Sequence, residues 1–135
     1  MEKATELGVT KIIPIMAERS EKKNLNEERL KKIAVEASEQ SGRGTVPEIE
    51  VIISLEEAVQ RLPRGSTSVA FHTEGKPLPL PIRGGTSVLF IGPEGGWSPK
   101  EIEMFHANKI PIFTFGKQVL RSETAVVVTL AKILL

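Results

Sequence analysis

Cysteine is missing altogether from the 135 residues. Its absence excludes disulfides, thiolate metal sites and a cysteine nucleophile, and it fits a reducing compartment. Charge of one sign is missing too. Eighteen Lys and Arg stand against 17 Asp and Glu, a formal net charge of +1. No global basic field advertises nucleic-acid binding. Met1 to Glu6 carries no hydrophobic signal segment. The longest apolar stretch near the C-terminus, Ala125 to Leu135, is interrupted by Lys132 and is too short to span a bilayer. No His/Asp/Glu cluster has metal-ligand spacing, so no metal is expected. Internal repeats and low-complexity segments are lacking. Asn and Gln are few, a compositional hint of a heat-adapted source. The expectation is a soluble cytoplasmic chain with no membrane partner, of a length that suits one domain with one core.

What is there alternates strand-like and helix-like segments. Lys3 to Leu7 reads as the tail of a helix with Gly8 as C-cap. Thr10 to Met16 reads as a strand whose Pro14 favours an edge or a bulge. Ala17 to Asn24 is a polar loop. Glu27 to Ser41 is a helix capped by Asn26, with Leu30, Ile33, Ala34, Ala37 and Ser41 at helical spacing. Glu48 to Ile53 is a short strand. Ser54-Leu55-Glu56-Glu57 is a capping box opening a helix to Leu62. Three further strands follow: Thr67 to His72, Ser87 to Ile91 and Ile110 to Phe115. Ser98-Pro99-Lys100-Glu101 is a second capping box, with proline at the first helical position, and opens a helix to about Asn108. Ser122 can cap a last helix running through Leu135. That helix is apolar on most faces and has to be buried against the core, a partner subunit, or both. Residues 75–85, rich in Pro and Gly, read as the flexible piece. The pattern predicts an α/β fold with a mainly parallel sheet flanked by helices.

Two strand-to-helix loops carry the functional signal. The first is Ile91-Gly92-Pro93-Glu94-Gly95-Gly96-Trp97-Ser98-Pro99; the second is Val119-Leu120-Arg121-Ser122-Glu123-Thr124-Ala125. In an open α/β sheet the ligand crevice lies outside the C-terminal strand ends, so both loops point at one site. Glycine lets backbone approach a ligand closely. The first loop carries Glu94 and lacks a Gly-Lys-Ser/Thr ending, so a neutral or cationic ligand suits it better than a polyphosphate. Backbone amides and carbonyls can read a small molecule there while Ile91 and Leu120 flank it. Arg121, between Leu120 and the helix start, is placed for a role at the crevice. Glu123 has a bland explanation in the helix dipole beside a catalytic one. Lys22, Lys23, Arg29, Lys31 and Lys32 form a local basic patch, either a solvated face or a track for an RNA backbone.

Four stretches in order carry a resemblance. They are Lys3-Ala4-Thr5-Glu6-Leu7-Gly8-Val9 with Glu18-Arg19-Ser20; Glu36-Ala37-Ser38-Glu39-Gln40-Ser41-Gly42-Arg43; Phe90-Ile91-Gly92-Pro93-Glu94-Gly95-Gly96; and Leu120-Arg121-Ser122-Glu123-Thr124-Ala125. With them the chain resembles the catalytic domain of the RsmE family of ribosomal RNA methyltransferases, in the SPOUT superfamily. The resemblance implies S-adenosylmethionine as cofactor, N3-methylation of a uridine in 16S ribosomal RNA of the small subunit, a homodimer, and a C-terminal trefoil knot. It also implies a cofactor site made of Thr73, Glu74 and Gly75, of Ile91, Gly92, Pro93, Glu94, Gly95 and Gly96, and of Val119, Leu120, Ser122, Thr124 and Ala125. Arg19, Arg43, Lys22 and Lys23 become candidates for RNA contact. Residues 1–135 correspond to the catalytic domain, and nothing corresponds to the family's N-terminal β-barrel.

Methyl transfer from a sulfonium to uridine N3 needs positioning and loss of the N3 proton. An arginine beside the flanking carbonyls stabilises the anion that forms. Arg121, Arg19 and Arg43 are the candidates for that guanidinium, with Glu123 or a water taking the proton. Two other readings stay open: a non-catalytic RNA-binding or scaffold domain of the same fold, and a SPOUT methyltransferase with another RNA target.

Overall fold

All strand pairings in the computed structural model, which describes residues 1–21, 24–79, 82 and 85–134, are parallel. The central pairing unit is three-stranded. β5 (Thr67–Pro77) lies between β6 (Ser87–Ile91) and β7 (Ile112–Thr114). Because the three strands are parallel and adjacent, their C-terminal ends open on the same side. Two short ribbons complete the strands: β1 (Lys11–Ile12) with β3 (Glu48–Ile49), and β2 (Ile15–Met16) with β4 (Ile53–Ser54). The helices are α1 (Glu2–Glu6), α2 (Glu27–Gln40), α3 (Leu55–Gln60), α4 (Pro99–Ala107) and α5 (Ser122–Leu134). This is a mixed α/β fold with parallel sheets flanked by helices.

The single strands expected over 10–16 and 48–53 are each broken in two. Pro14 has no N–H to give to a ladder, but its carbonyl accepts from the Ile53 amide at 3.1 Å. Lys11 and Ile12 pair with Glu48 and Ile49, whereas Ile15 and Met16 pair with Ile53 and Ser54. Three residues, Glu50 to Ile52, therefore face two, Ile13 and Pro14, which is a β-bulge opposite the proline. Lys11 reaches both Glu50 and Glu48 across the ribbon. Its ammonium pKa is raised, first by the hydrogen bond to Glu50 and then by that to Glu48.

Helix starts follow local chemistry. Asn26 accepts from the Arg29 amide, and Ser54 and Ser98 each sit in a complete capping box, with Glu57 and Glu101. The end of α4 is less regular. Lys109 takes a left-handed φ of 56°, and the Ile110 amide reaches back to the Phe105 carbonyl. That geometry closes the helix in the manner glycine usually provides and delays β7 to Ile112, two residues beyond the expected start. Ser122 is the first residue of α5 rather than its cap, for Arg121 supplies the carbonyl that accepts from the Ala125 amide. Leu135, expected as the last helical residue, lies outside the described residues.

The core joins these layers. Ala17, Ile53, Leu55, Val59, Ala70, Phe90, Trp97, Phe105 and Ile110 are buried together. Phe105 is the hub: Phe90 tilts against it at 5.3 Å between centroids and Trp97 meets it edge-on at 5.0 Å. Ring pairs of this kind add about 1 kcal/mol each beyond their area. No helix among the described residues is long and apolar enough to cross a membrane.

Candidate active site

The first wall of the site comes from β5. Val69, Ala70 and Phe71 pair with β6, and Ala70 and Phe71 also pair with Ile112 and Phe113 of β7. The strand then leaves the ladder at His72 and returns at Lys76, which pairs again with Phe113. So β5 extends to Pro77, well beyond the expected end at His72, and residues 72–75 form an excursion at its centre. Gly75 makes the return possible. A Cβ there would lie 2.5 to 2.8 Å from backbone atoms of Phe113, closer than carbon atoms can pack. His72 Nδ1 accepts from the Glu74 amide at 3.3 Å and holds the excursion in shape. Of the flexible segment expected over 75–85, residues 75–77 are thus strand, while Leu80, Pro81, Arg83 and Gly84 lie outside the described residues.

The second wall follows β6. The Gly96 amide donates to the Pro93 carbonyl at 2.8 Å, closing a tight turn, and Gly96 has φ +73°, a conformation that favours glycine. The chain then dives inward at Trp97, which is 2% exposed. Its indole N–H donates to the Phe71 carbonyl at 3.1 Å, so one buried donor pins the glycine loop to the neighbouring strand.

Behind the turn, Ser98 opens α4, and Glu101 is almost wholly buried. One oxygen of Glu101 accepts from the Ser98 amide at 2.8 Å. The other accepts from the Glu18 amide, also at 2.8 Å. The next residue after Glu18 is Arg19. Its Nη1 donates to the Gly95 carbonyl at 3.0 Å and reaches the Trp97 carbonyl at 3.5 Å.

The third wall is the segment 118–125. Ser122 Oγ donates to the Gly92 carbonyl at 3.1 Å and joins the two signal loops directly. Phe115, just past the end of β7, stacks on Phe71 with centroids 4.7 Å apart and planes 13° from parallel. The Lys132 ammonium lies over the Phe115 ring, 5.4 Å from its centroid, with the residue exposed.

These walls enclose a cavity of about 400 Å³, within the range of small-molecule sites. Most sequence-predicted cofactor residues line it: Thr73 and Glu74, all of Ile91 to Gly96, and Val119, Leu120, Ser122 and Ala125. Arg19 lines it as well. Gly75 and Thr124 do not; Gly75 serves strand packing instead, and Thr124 is exposed on α5. Arg121 and Glu123 are exposed and stand outside the lining, although Arg121 lies between two residues that belong to it. Arg43 is elsewhere. Its Nη1 donates to the Thr5 and Val9 carbonyls at 2.7 and 3.0 Å, tying the ends of α1 and α2 together. Lys22 and Lys23 lie outside the described residues. Phe71, His72, Phe113, Thr114, Phe115 and Gln118 line the cavity without having been expected there. Their signal was available, since each lies within a few residues of the strand ends expected at His72 and Phe115.

The cavity is apolar on its aromatic side and acidic at Glu74 and Glu94, with one guanidinium from Arg19. Among the described residues no group of three or more His, Cys, Asp or Glu side chains could hold a metal ion.

A family model described as RNA methyltransferase domain matches residues 1–134. Ribosomal RNA small subunit methyltransferase E of Rickettsia conorii is 33% identical over 96% of this chain and 55% of its own length. The protein of the same name from Bacillus subtilis is 32% identical over 98% of this chain and 58% of its own. Among solved structures, ribosomal RNA small subunit methyltransferase E from Neisseria gonorrhoeae bound to S-adenosyl methionine superposes with a TM-score of 0.86. It is 34% identical and matches over 96% of this chain and 56% of that one. The chain thus spans about half the length of the relatives it matches.

Proposed function

The chain belongs to the RNA methyltransferase domain family, and from that membership we propose that it binds S-adenosylmethionine and methylates N3 of a uridine in 16S ribosomal RNA of the small subunit. One observation carries the reading. The two signal loops meet across a single cavity and are latched by the hydrogen bond between Ser122 and Gly92, 30 positions apart in sequence. The Neisseria relative, 34% identical, has S-adenosyl methionine bound.

The residues present fit that cofactor. Glu74 and Glu94 give the cavity a negative rim suited to a sulfonium cation, and the stacked Phe71 and Phe115 offer an apolar wall. Ile91 and Leu120 add apolar contact, and the Gly92 to Gly96 backbone can come close because most of it lacks side chains. When bound, the cofactor supplies an electrophilic methyl group. The chain supplies placement and charge. Arg19 is the guanidinium on the lining. Its Nη1 is engaged with the Gly95 and Trp97 carbonyls, and its Nε and Nη2 donors have no partner among the described residues. Those donors stabilise the negative charge that a uridine places on its carbonyl oxygens as N3 loses its proton. Arg121 acts from the rim on the same charge or on a phosphate. Glu123 serves the N-terminal turn of α5, and the N3 proton passes to solvent.

The reading extends to the assembly. Residues 1–135 form the catalytic unit, with the C-terminal trefoil knot of the SPOUT superfamily and a cytoplasmic site of action on ribosomal RNA. Val119 is 75% exposed and Leu134 is 50% exposed, which supports a homodimer built around α5. Two measurements test the function. Calorimetry with S-adenosylmethionine should give saturable 1:1 binding per chain. Small ribosomal subunits incubated with the protein and labelled cofactor should gain label at a uridine N3. Binding without any methyl incorporation into RNA, with an active full-length relative as control, would leave a scaffold domain as the better reading.

A further inference from the structure

We propose that Glu101 is a positioning residue for Arg19. It rests on the reading of Arg19 as the guanidinium that faces the methyl acceptor. Glu101 would be fully explained as the third residue of a helix capping box if its carboxylate served only Ser98. It does not. Glu57 holds the same place in the other capping box, and both the amide and the hydroxyl it meets belong to Ser54, the cap itself. Glu101 splits its two oxygens between the Ser98 amide and the Glu18 amide, a residue 83 positions away. Glu57 is exposed, whereas Glu101 is 7% exposed. A buried carboxylate shared by two backbone donors is a strong and directional clamp, because a charge-assisted hydrogen bond is stronger in the low dielectric of a protein interior than in water.

The clamp fixes two things that have to agree. On one side it sets the start of α4, and with it the glycine turn that ends at Trp97. On the other it sets the backbone of Glu18, immediately before Arg19. Arg19 then reaches back to the Gly95 and Trp97 carbonyls of that same turn. Three segments close a ring: Glu101 to Glu18, Arg19 to Gly95, and Gly95 through Ser98 to Glu101. The fit is tight, for a Cβ on Gly95 would already lie 3.2 Å from Arg19 Cβ. Without the Glu18 bond the backbone after the buried Ala17 keeps only its local turn, in which Ser20 caps the Ala17 amide, and the Arg19 bonds to Gly95 and Trp97 lose their fixed base. The long Arg19 side chain would then sample many rotamers instead of one.

The test separates this role from simple helix capping. In Glu101→Gln the amide oxygen can accept from one of the two donors, while its NH2 opposes the other. Glu57→Gln injures the equivalent box in α3 and touches nothing near the cavity. By nuclear magnetic resonance, the Arg19 guanidinium protons and the Glu18 amide should exchange with solvent on the order of tenfold faster in Glu101→Gln. In Glu57→Gln they should be unchanged. Equal behaviour of the two variants, at either rate, overturns the proposal. The wild-type protein gives a second test should Glu101→Gln fail to fold. Its Glu18 amide should be protected to a degree comparable with Ser98, and a Glu18 amide that exchanges like that of an open loop also overturns it. The functional arm is a double-mutant cycle on methyl transfer, in a protein first shown to bind S-adenosylmethionine. Glu101→Gln should lower turnover on the order of tenfold, with cofactor affinity within about twofold. In an Arg19→Ala background it should cost nothing further. Additive losses overturn the link between the two residues. Loss of cofactor binding by the wild type would instead reject the proposed function while the exchange measurements stand.

Discussion

The Ser122 hydroxyl donates to the Gly92 carbonyl at 3.1 Å, so the first turn of α5 is fastened to the turn that follows β6. This one bond joins directly the two loops whose places after strands already pointed them at one site. Ser122→Ala should weaken S-adenosylmethionine binding several-fold and lower stability by about 1 kcal/mol, the usual worth of one part-buried hydrogen bond. Calorimetry and urea denaturation read the two effects. A variant with unaltered affinity would show that the cavity does not depend on the latch.

Gly75→Ala should destabilise strongly. Its new methyl would meet the Phe113 backbone at 2.5 to 2.8 Å, and backbone cannot rotate away as a side chain can. A loss of about 2 kcal/mol or more is expected. Gly85→Ala is the control, since nothing lies within 4 Å of a Cβ there. Similar melting temperatures for the two variants would rule out the close approach of β5 and β7.

Arg19→Ala should reduce methyl transfer on the order of a hundred- to a thousandfold, with much smaller loss of cofactor affinity. The cofactor is cationic, so a guanidinium gives it no ground-state attraction, whereas it favours a uridine that becomes anionic. Arg121→Ala, outside the lining, should show the smaller defect. The opposite ranking of the two variants would move the catalytic assignment to Arg121. Gly95→Val should impair cofactor binding as well as methyl transfer, because Gly95 lines the cavity and its added side chain would press on Arg19.

Much of this was legible beforehand because the chemistry is local. A Ser followed three positions on by Glu predicts a helix start from contacts within one turn, and both boxes formed as expected at Ser54 and Ser98. Pro14 announced a bulge because a missing N–H is a property of the residue itself. The loops at 91–96 and 119–125 stood out through glycine and through their place after strands. What escaped reading depends on partners far along the chain. The continuation of β5 to Pro77 exists only because Gly75 lets the strand settle again on Phe113. Arg43, a candidate for RNA contact by resemblance, spends one nitrogen on the Thr5 and Val9 carbonyls, which no pattern around position 43 reveals. The stacked Phe71 and Phe115 were counted as strand residues, and only the register of β5 and β7 turns them into a cavity wall.

A homodimer should be seen by sedimentation at micromolar concentration. Leu134→Glu should shift it towards monomer at least tenfold in dissociation constant, since a carboxylate replaces an apolar contact at the subunit face. A wild-type protein that sediments as a monomer would reject the dimer and leave the exposed Leu134 without a role.

Trp97 is the only tryptophan, and the sequence contains no tyrosine. Its ring lies directly beneath Gly92, where an added Cβ would be 3.0 Å away, and its indole proton is held by the strand that forms the opposite wall. The chain therefore carries a single indole, under the floor of its cavity. Ultraviolet emission comes from one known place. Burial should shift it to short wavelength, and it should respond to movement of the glycine turn or of β5. Filling of the cavity can be followed in the unlabelled native chain, in real time, without a second signal to subtract.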